Sequence, residues 1–166
     1  MVTIRKYQPS DQNAVTDLIM STLNHEFPKD AQAAPLDDLN NIMSSYGGLG
    51  ESFFVALSNG KLVGTVGIKQ EDGRTAFLRR LFVASGFRRN RIGSELVDRA
   101  IEFCREVGYD EIIFKTTSTM DKAVRLCEKK GFIPKAKLEL GPVQLLKFAL
   151  FLKAEEVPQR SKKASS

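Results

Sequence analysis

The sequence is poor in the residues that most often carry metals, disulfides and membrane spans. Its 166 residues include one histidine, His25, two cysteines, Cys104 and Cys127, and no tryptophan. A single histidine cannot build a histidine-based zinc site, and no metal-ligand spacing runs through the other residues. Both cysteines fall inside helical apolar patterns, so neither belongs to a disulfide scaffold. No stretch approaches the roughly 18 apolar residues of a membrane span. The longest apolar region, residues 145–152, is interrupted by Lys147 and has the length of a strand. The first residues alternate like a strand and lack the basic-then-apolar pattern of a leader. These absences set the expectation of a cytoplasmic domain with no metal and no membrane partner.

What is present suits one domain of ordinary size. Hydrophobic residues make up 42% and charged residues 27%, and 11 phenylalanines supply core material. A chain of this length buries a core without staples. The net charge of +5 favours an anionic partner, a polyphosphate ligand among them. Part of the excess lies in Arg160, Lys162 and Lys163, within a polar stretch read as a frayed tail. The expected division is one domain over 1–153 and a flexible charged tail over 154–166.

Residues 2–7 read as a strand. Pro9-Ser10-Asp11 then opens a helix, with Ser10 as N-cap and Val15, Leu18, Ile19 and Leu23 as its apolar stripe. Two prolines and small residues make 24–35 a loop, and a short helix follows over 36–46. Strands over 52–58 and 61–70 flank Asn59-Gly60, a strong hairpin signal. A third strand spans 76–83. A basic loop, 85–90, leads into a long helix from about 91 to 107, whose apolar face is Ile92, Leu96, Val97, Ala100, Ile101, Cys104 and Val107. Gly108 ends it. A buried-type strand covers 111–116. Ser118 with Asp121 resembles a capping box before a helix that stops at Gly131. Two strands, 132–140 and 145–152, close the order β-α-α-β-β-β-α-β-α-β-β. That order argues for a mixed sheet with helices on both faces. Phe148 and Leu150 make the last strand apolar enough to form a homodimer seam.

The stretch from Leu78 to Leu96 carries the chemistry: a strand, a basic loop and a helix start. A helix N-terminus offers unpaired N–H groups and the positive end of a dipole, which is a ready anion site. Arg88, Arg89 and Arg91 add full charges, and Gly93 lets a ligand approach the backbone. A diphosphate is the natural guest. A nucleic acid is the weaker reading, because the arginines lack interleaved aromatics beyond Phe87.

Arg88-Arg89-Asn90-Arg91-Ile92-Gly93, after a strand ending Leu81-Phe82-Val83, resembles the coenzyme A signature of the GNAT-type N-acetyltransferase superfamily. Ala123-Val124-Arg125-Leu126-Cys127 through Gly131-Phe132 resembles that superfamily's second signature, in the same order and at about the same spacing. Ile4-Arg5 with Pro9-Ser10-Asp11 resembles its first strand and helix cap. The resemblance spans roughly residues 2–152. It implies an α/β (α+β) fold of the acyl-CoA N-acyltransferase type, with a mixed, mostly antiparallel central sheet. It also implies acetyl-CoA as cosubstrate and an amine acceptor, attacked directly in a ternary complex. By the same resemblance the backbones of Leu81, Phe82 and Val83 meet the pantetheine. Amides of Arg88, Arg89, Asn90, Arg91, Ile92, Gly93 and Ser94 hold the pyrophosphate, and Met120 and Ala123 border the coenzyme. The Val83 N–H is the oxyanion candidate.

Three positions depart from the pattern. Arg91 stands where glycine is usual, harmless if the residue is right-handed helical. Phe77 stands where a glutamate base is common, which leaves Glu26, in the loop after the first helix, as the candidate base or an ordinary exposed acid. Cys127 stands where a tyrosine usually protonates the departing thiolate. It reads as a weak donor or as a buried helix filler. The alternative to an enzyme is an acyl-CoA sensor with little or no turnover.

Overall fold

A computed structural model describes residues 1–33 and 35–152. The 154–166 tail and the domain's last position, 153, lie outside the described residues. The strands are β1 (Val2–Lys6), β2 (Ser52–Ser58), β3 (Lys61–Gln70), β4 (Thr75–Val83), β5 (Glu111–Thr117), β6 (Ile133–Leu140) and β7 (Val143–Phe151). The helices are α1 (Gln12–Glu26), α2 (Pro28–Ala33), α3 (Ile42–Tyr46), α4 (Ile92–Val107) and α5 (Asp121–Lys129). The sheet order is β1-β2-β3-β4-β5-β7-β6, and only β4 and β5 run parallel. This is the mixed, mostly antiparallel sheet expected.

The meander follows from alternation and turn chemistry. Asn59 and Gly60 both take positive φ, 51° and 83°, as a two-residue hairpin requires. One face of the sheet buries Phe54, Val66, Leu78 and Ile112 beneath α4 and α5. The other buries Phe53 and Val55 beneath α1 and α3. Helix α4 comes down closely on β3. A Cβ at Gly64 would lie 2.9 Å from Leu96 Cδ1 and 3.2 Å from Ile92 Cγ2, so the missing side chain sets how near the start of α4 sits to the sheet.

Several local expectations are corrected. Ser10 is not the cap of α1: residues Pro9–Asp11 form a 3₁₀ turn first. The carboxylate of Asp11 accepts from the Gln8 amide at 2.8 Å and from both Nη atoms of Arg5 at 2.8 and 3.0 Å. The Arg5 bond is the main reason the Asp11 carboxyl is held below its ordinary range. The expected 24–35 loop contains the end of α1 and all of α2. Ser118 caps nothing; Met120 is the N-cap of α5, without a side-chain bond. Val107, expected on the buried face, is 43% exposed. Strand β7 is interior rather than an edge, paired with β5 and β6. Phe148 is buried and the partly buried Leu150 packs on the same core, so both contribute to the domain's interior.

Candidate active site

The parallel ladder between β4 and β5 stops at Leu78↔Phe114. Beyond it, β5 stays with β7 as far as Thr117↔Leu145, while β4 stays with β3 as far as Val83↔Gly64. The sheet therefore forks, and the last residues of β4 present an unpaired edge to the gap. A bulge produces the bend. From Thr65↔Phe82 to Gly67↔Arg79, β4 spends one residue more than β3, the usual way to twist a strand away from its neighbour.

Arg80 occupies the bulge with φ 54°. Its carbonyl accepts from Thr65 Oγ1 at 2.8 Å. Its guanidinium pairs with Asp38, Nε donating to Oδ2 at 2.9 Å, with the two side chains only 9% and 13% exposed. Tyr46 donates to the same carboxylate at 2.6 Å, and Arg80 Nη2 donates to the Pro35 carbonyl at 2.8 Å. These bonds fasten the bulge to the segment leading into α3. Burial alone would push the Asp38 carboxyl up, but the Arg80 and Tyr46 bonds outweigh it and hold it below its ordinary value. Burial, with the Asp38 bond, raises the Tyr46 hydroxyl.

Two concavities share the fork, each touching Leu81, Phe82, Met120 and Ala123. One, about 470 Å³, includes Val83, Arg88, Arg91, Gly93 and Ser94 in its walls. The other, about 450 Å³, includes Asp30, Phe77, Arg79, Lys115 and Leu145. The Ala84 N–H donates to the Val63 carbonyl at 2.8 Å. Successive amides of a strand point to opposite sides, so the Val83 N–H faces away from β3, into the gap. The Val83 carbonyl faces the same way and accepts from Arg88 Nε at 3.0 Å.

The structure thus gathers most of the residues named from sequence along the first concavity: Leu81, Phe82, Val83, Arg88, Arg91, Gly93, Ser94, Met120, Ala123 and Glu26. The side chains of Arg89 and Asn90 lie outside the described set. Ile92 is fully buried in the core, which leaves only its backbone for a ligand. Arg91 is not right-handed helical, as expected, but left-handed, with φ 64° and ψ 18° at the N-cap of α4. The basic segment before it, Ser85–Asn90, is 3₁₀, and the left-handed Arg91 separates that segment from α4. Gly93 matters for packing as well as access, since a Cβ there would lie 3.1 Å from Leu126 Cδ2.

Glu26 is the last residue of α1, not a loop acid. Both its oxygens accept from Arg88, at 2.6 and 2.9 Å, so the candidate base and the leading candidate for phosphate binding are bound to each other. Cys127 is fully buried in the main core and lines neither concavity. Burial pushes its thiol up to about 12.

Sequence reasoning missed the second concavity's charged residues. Asp30 is buried, and its two oxygens accept from the hydroxyls of Thr117 and Thr119. Its position on α2 was hidden by reading Pro28 as a helix breaker, whereas proline at the first helical position favours a helix. Lys122 and Arg125, on α5, line the first concavity. Their only sequence signal was an i, i+3 basic pair on that helix.

Among the described residues no group of histidine, cysteine, aspartate and glutamate side chains is arranged to hold a metal, and no helix is long and apolar enough to cross a membrane.

Residues 16–132 match the acetyltransferase (GNAT) family model. The chain is 33% identical over 129 residues to the "Probable N-acetyltransferase camello" of Xenopus laevis, covering 76% of this chain and 58% of that protein. The chain spans about half the length of the curated relatives it matches. An acetyltransferase of the same family from Staphylococcus aureus superposes with a TM-score of 0.80 at 26% identity, over 92% of this chain and 100% of that one. An acetyltransferase of Salmonella typhimurium solved with its cofactor acetyl-CoA superposes with a TM-score of 0.74 at 23% identity, over 91% and 94%.

Proposed function

The chain belongs to the acetyltransferase (GNAT) family, and from that premise we propose that it moves an acetyl group from acetyl-CoA to a primary amine by direct attack in a ternary complex. The observation that carries this reading is the fork: an unpaired β4 edge, ending in the inward-facing Val83 amide, runs beside a basic helix start.

An extended pantetheine arm pairs with such an edge as an added strand does. The amides leading into α4 and the cations Arg91, Lys122 and Arg125 suit the phosphates. The thioester carbon then lies where the two concavities meet, with the Val83 N–H aimed at its oxygen. The amine nitrogen attacks that carbon, the C–S bond breaks, and the thiolate takes up a proton while the new amide sheds one. A thiolate of ordinary pKa, roughly 8.5, leaves without a strong acid. The buried Cys127 is therefore read as core packing and Glu26 as the partner of Arg88, with positioning and the Val83 amide supplying most of the acceleration.

The test is a thermal-shift titration with acetyl-CoA beside adenosine diphosphate, followed by thiol release with a panel of amines. Saturation at 100 times Kd is worth about 2.7 kcal/mol, a rise of about 5–10 °C for a chain of this size. No rise overturns the function. A rise without thiol release for any amine points to an acyl-CoA sensor.

A further inference from the structure

Resting on that reading, we infer that the acceptor is a small amine that also carries a carboxylate, gripped at the fork by Arg79 and Lys115 with its amino group turned to Asp30.

The ladder's last pair, Leu78↔Phe114, is buried in the core under α4. Arg79 and Lys115 are the next residue on each strand. Alternation puts both side chains on the opposite face, where Phe77 also lies, with Lys115 Nζ 5.0 Å from the centre of its ring. Two cations thus flank the point where the sheet opens, and both line the second concavity.

Neither is hydrogen-bonded to an acid: Asp38 feels the charge of Arg79 but spends its oxygens on Arg80 and Tyr46. Among the described residues, Arg79 and Lys115 make no hydrogen bond or ion pair. Their neighbours are treated otherwise: Arg80 is paired with Asp38 and Arg88 with Glu26. Among the described residues, the single acid lining the second concavity is Asp30. Its carboxylate is fixed by Thr117 and Thr119 and is not spent on either cation. Two like charges beside a largely apolar hollow repel each other and gain most from a shared anion. A carboxylate is the anion that an amino-acid-like acceptor brings with it, and a guanidinium binds it in bidentate fashion. Asp30 then faces the opposite charge of the same molecule, the ammonium that must lose its proton before attack. The apolar walls at Leu23, Phe77 and Leu145 suit the acceptor's body. About 450 Å³ suits a small molecule.

The test uses the full chain with acetyl-CoA and reads thiol release for α-amino acids, their α-amides and a C-amidated tetrapeptide. The acids should exceed the amides in kcat/KM by about 10- to 100-fold, what a charge-assisted bond is worth. Arg79→Gln and Lys115→Gln should shrink that gap by lowering kcat/KM for the acids more than for the amides. Asp30→Asn should depress both. Amides or the amidated peptide used as well as the acids by the wild type would overturn the proposal, as would a gap that survives both glutamine variants. If acetyl-CoA stabilises the protein but no amine releases thiol, the readout becomes added stabilisation of the CoA complex by each acid. Stabilisation by acids and not amides, lost in Arg79→Gln, supports the proposal; none overturns it, and the acetyl-CoA shift still stands as evidence for the cosubstrate site.

Discussion

Replacing Arg91 with glycine should make the protein more stable and a weaker coenzyme binder at the same time. Arg91 sits at φ 64°, a region that costs a residue with a Cβ about 1–2 kcal/mol. Glycine removes that cost but adds about 0.4–1 kcal/mol of backbone freedom to the unfolded chain. The side chain is exposed and makes no hydrogen bond or ion pair among the described residues, so little packing is lost. The Arg91 carbonyl still accepts from the Glu95 amide, at 3.0 Å in the native chain. The net gain is about 0.5–1 kcal/mol, or about 1–4 °C in Tm. Arg91→Ala, which keeps the left-handed strain, should stay near the wild type, and the β-branched Arg91→Val should fall below it. Acetyl-CoA titration of the same proteins should show Kd rising about 2- to 5-fold in all three variants, with the difference shrinking at high salt. Calorimetry that ranks glycine at or below alanine would refute the backbone argument. An unchanged Kd would refute the placement of Arg91 beside the phosphates.

Other expectations are more direct. Glu26→Gln releases Arg88 from its bidentate partner, so acetyl-CoA should bind as tightly or more tightly and kcat/KM should stay within about threefold; a fall of 100-fold or more would restore Glu26 as the base. Asp11 and Asp38 are held below their ordinary range, so the stability they contribute is complete above the unfolded value of about 3.9 and is lost as pH falls through their lower folded values. Tm should therefore be flat down to about pH 5 and drop below pH 4, with a shallower acid limb in Asp38→Asn, whose Tm is already lowered because Arg80 loses its charged partner. Cys127→Ala should cost about 1 kcal/mol of stability by denaturant melt and leave kcat within a few-fold; a loss above 100-fold would make the thiol a proton donor after all.

The strands were legible because each is announced locally. Alternation and Asn59-Gly60 gave β2 and β3 at the bounds observed, and the basic run before Gly93 marked the first concavity. The errors share a physical origin. Pro28 and the small residues after it carry no apolar stripe, so α2 is held by its surroundings, and Asp30 comes to Thr117 and Thr119 across 87 and 89 residues of sequence. Nothing local marks Arg79 and Lys115, because their meaning depends on where the β4–β5 pairing stops, a property of two strands separated by a whole helix. Arg91 is the instructive case. The missing glycine was visible in the sequence, but its significance depended on the left-handed backbone at the N-cap of α4, which turns an ordinary substitution into a strained one.

That contrast divides the site by the kind of information that builds it. The proposed cosubstrate side rests on backbone: a bulged strand edge, one amide facing a gap and a helix start. Local sequence signals describe such features well, and many side chains are compatible with them. The proposed acceptor side rests on three charged side chains from α2, β4 and β5, brought together by the fork. A change at Arg79, Lys115 or Asp30 leaves the bulge, the Val83 amide and the start of α4 in place. Acceptor choice can therefore change without loss of the proposed acetyl-transfer geometry: variants at Arg79 and Lys115 should alter which amines are used, Asp30→Asn should slow all of them, and acetyl-CoA affinity should stay as it was in each.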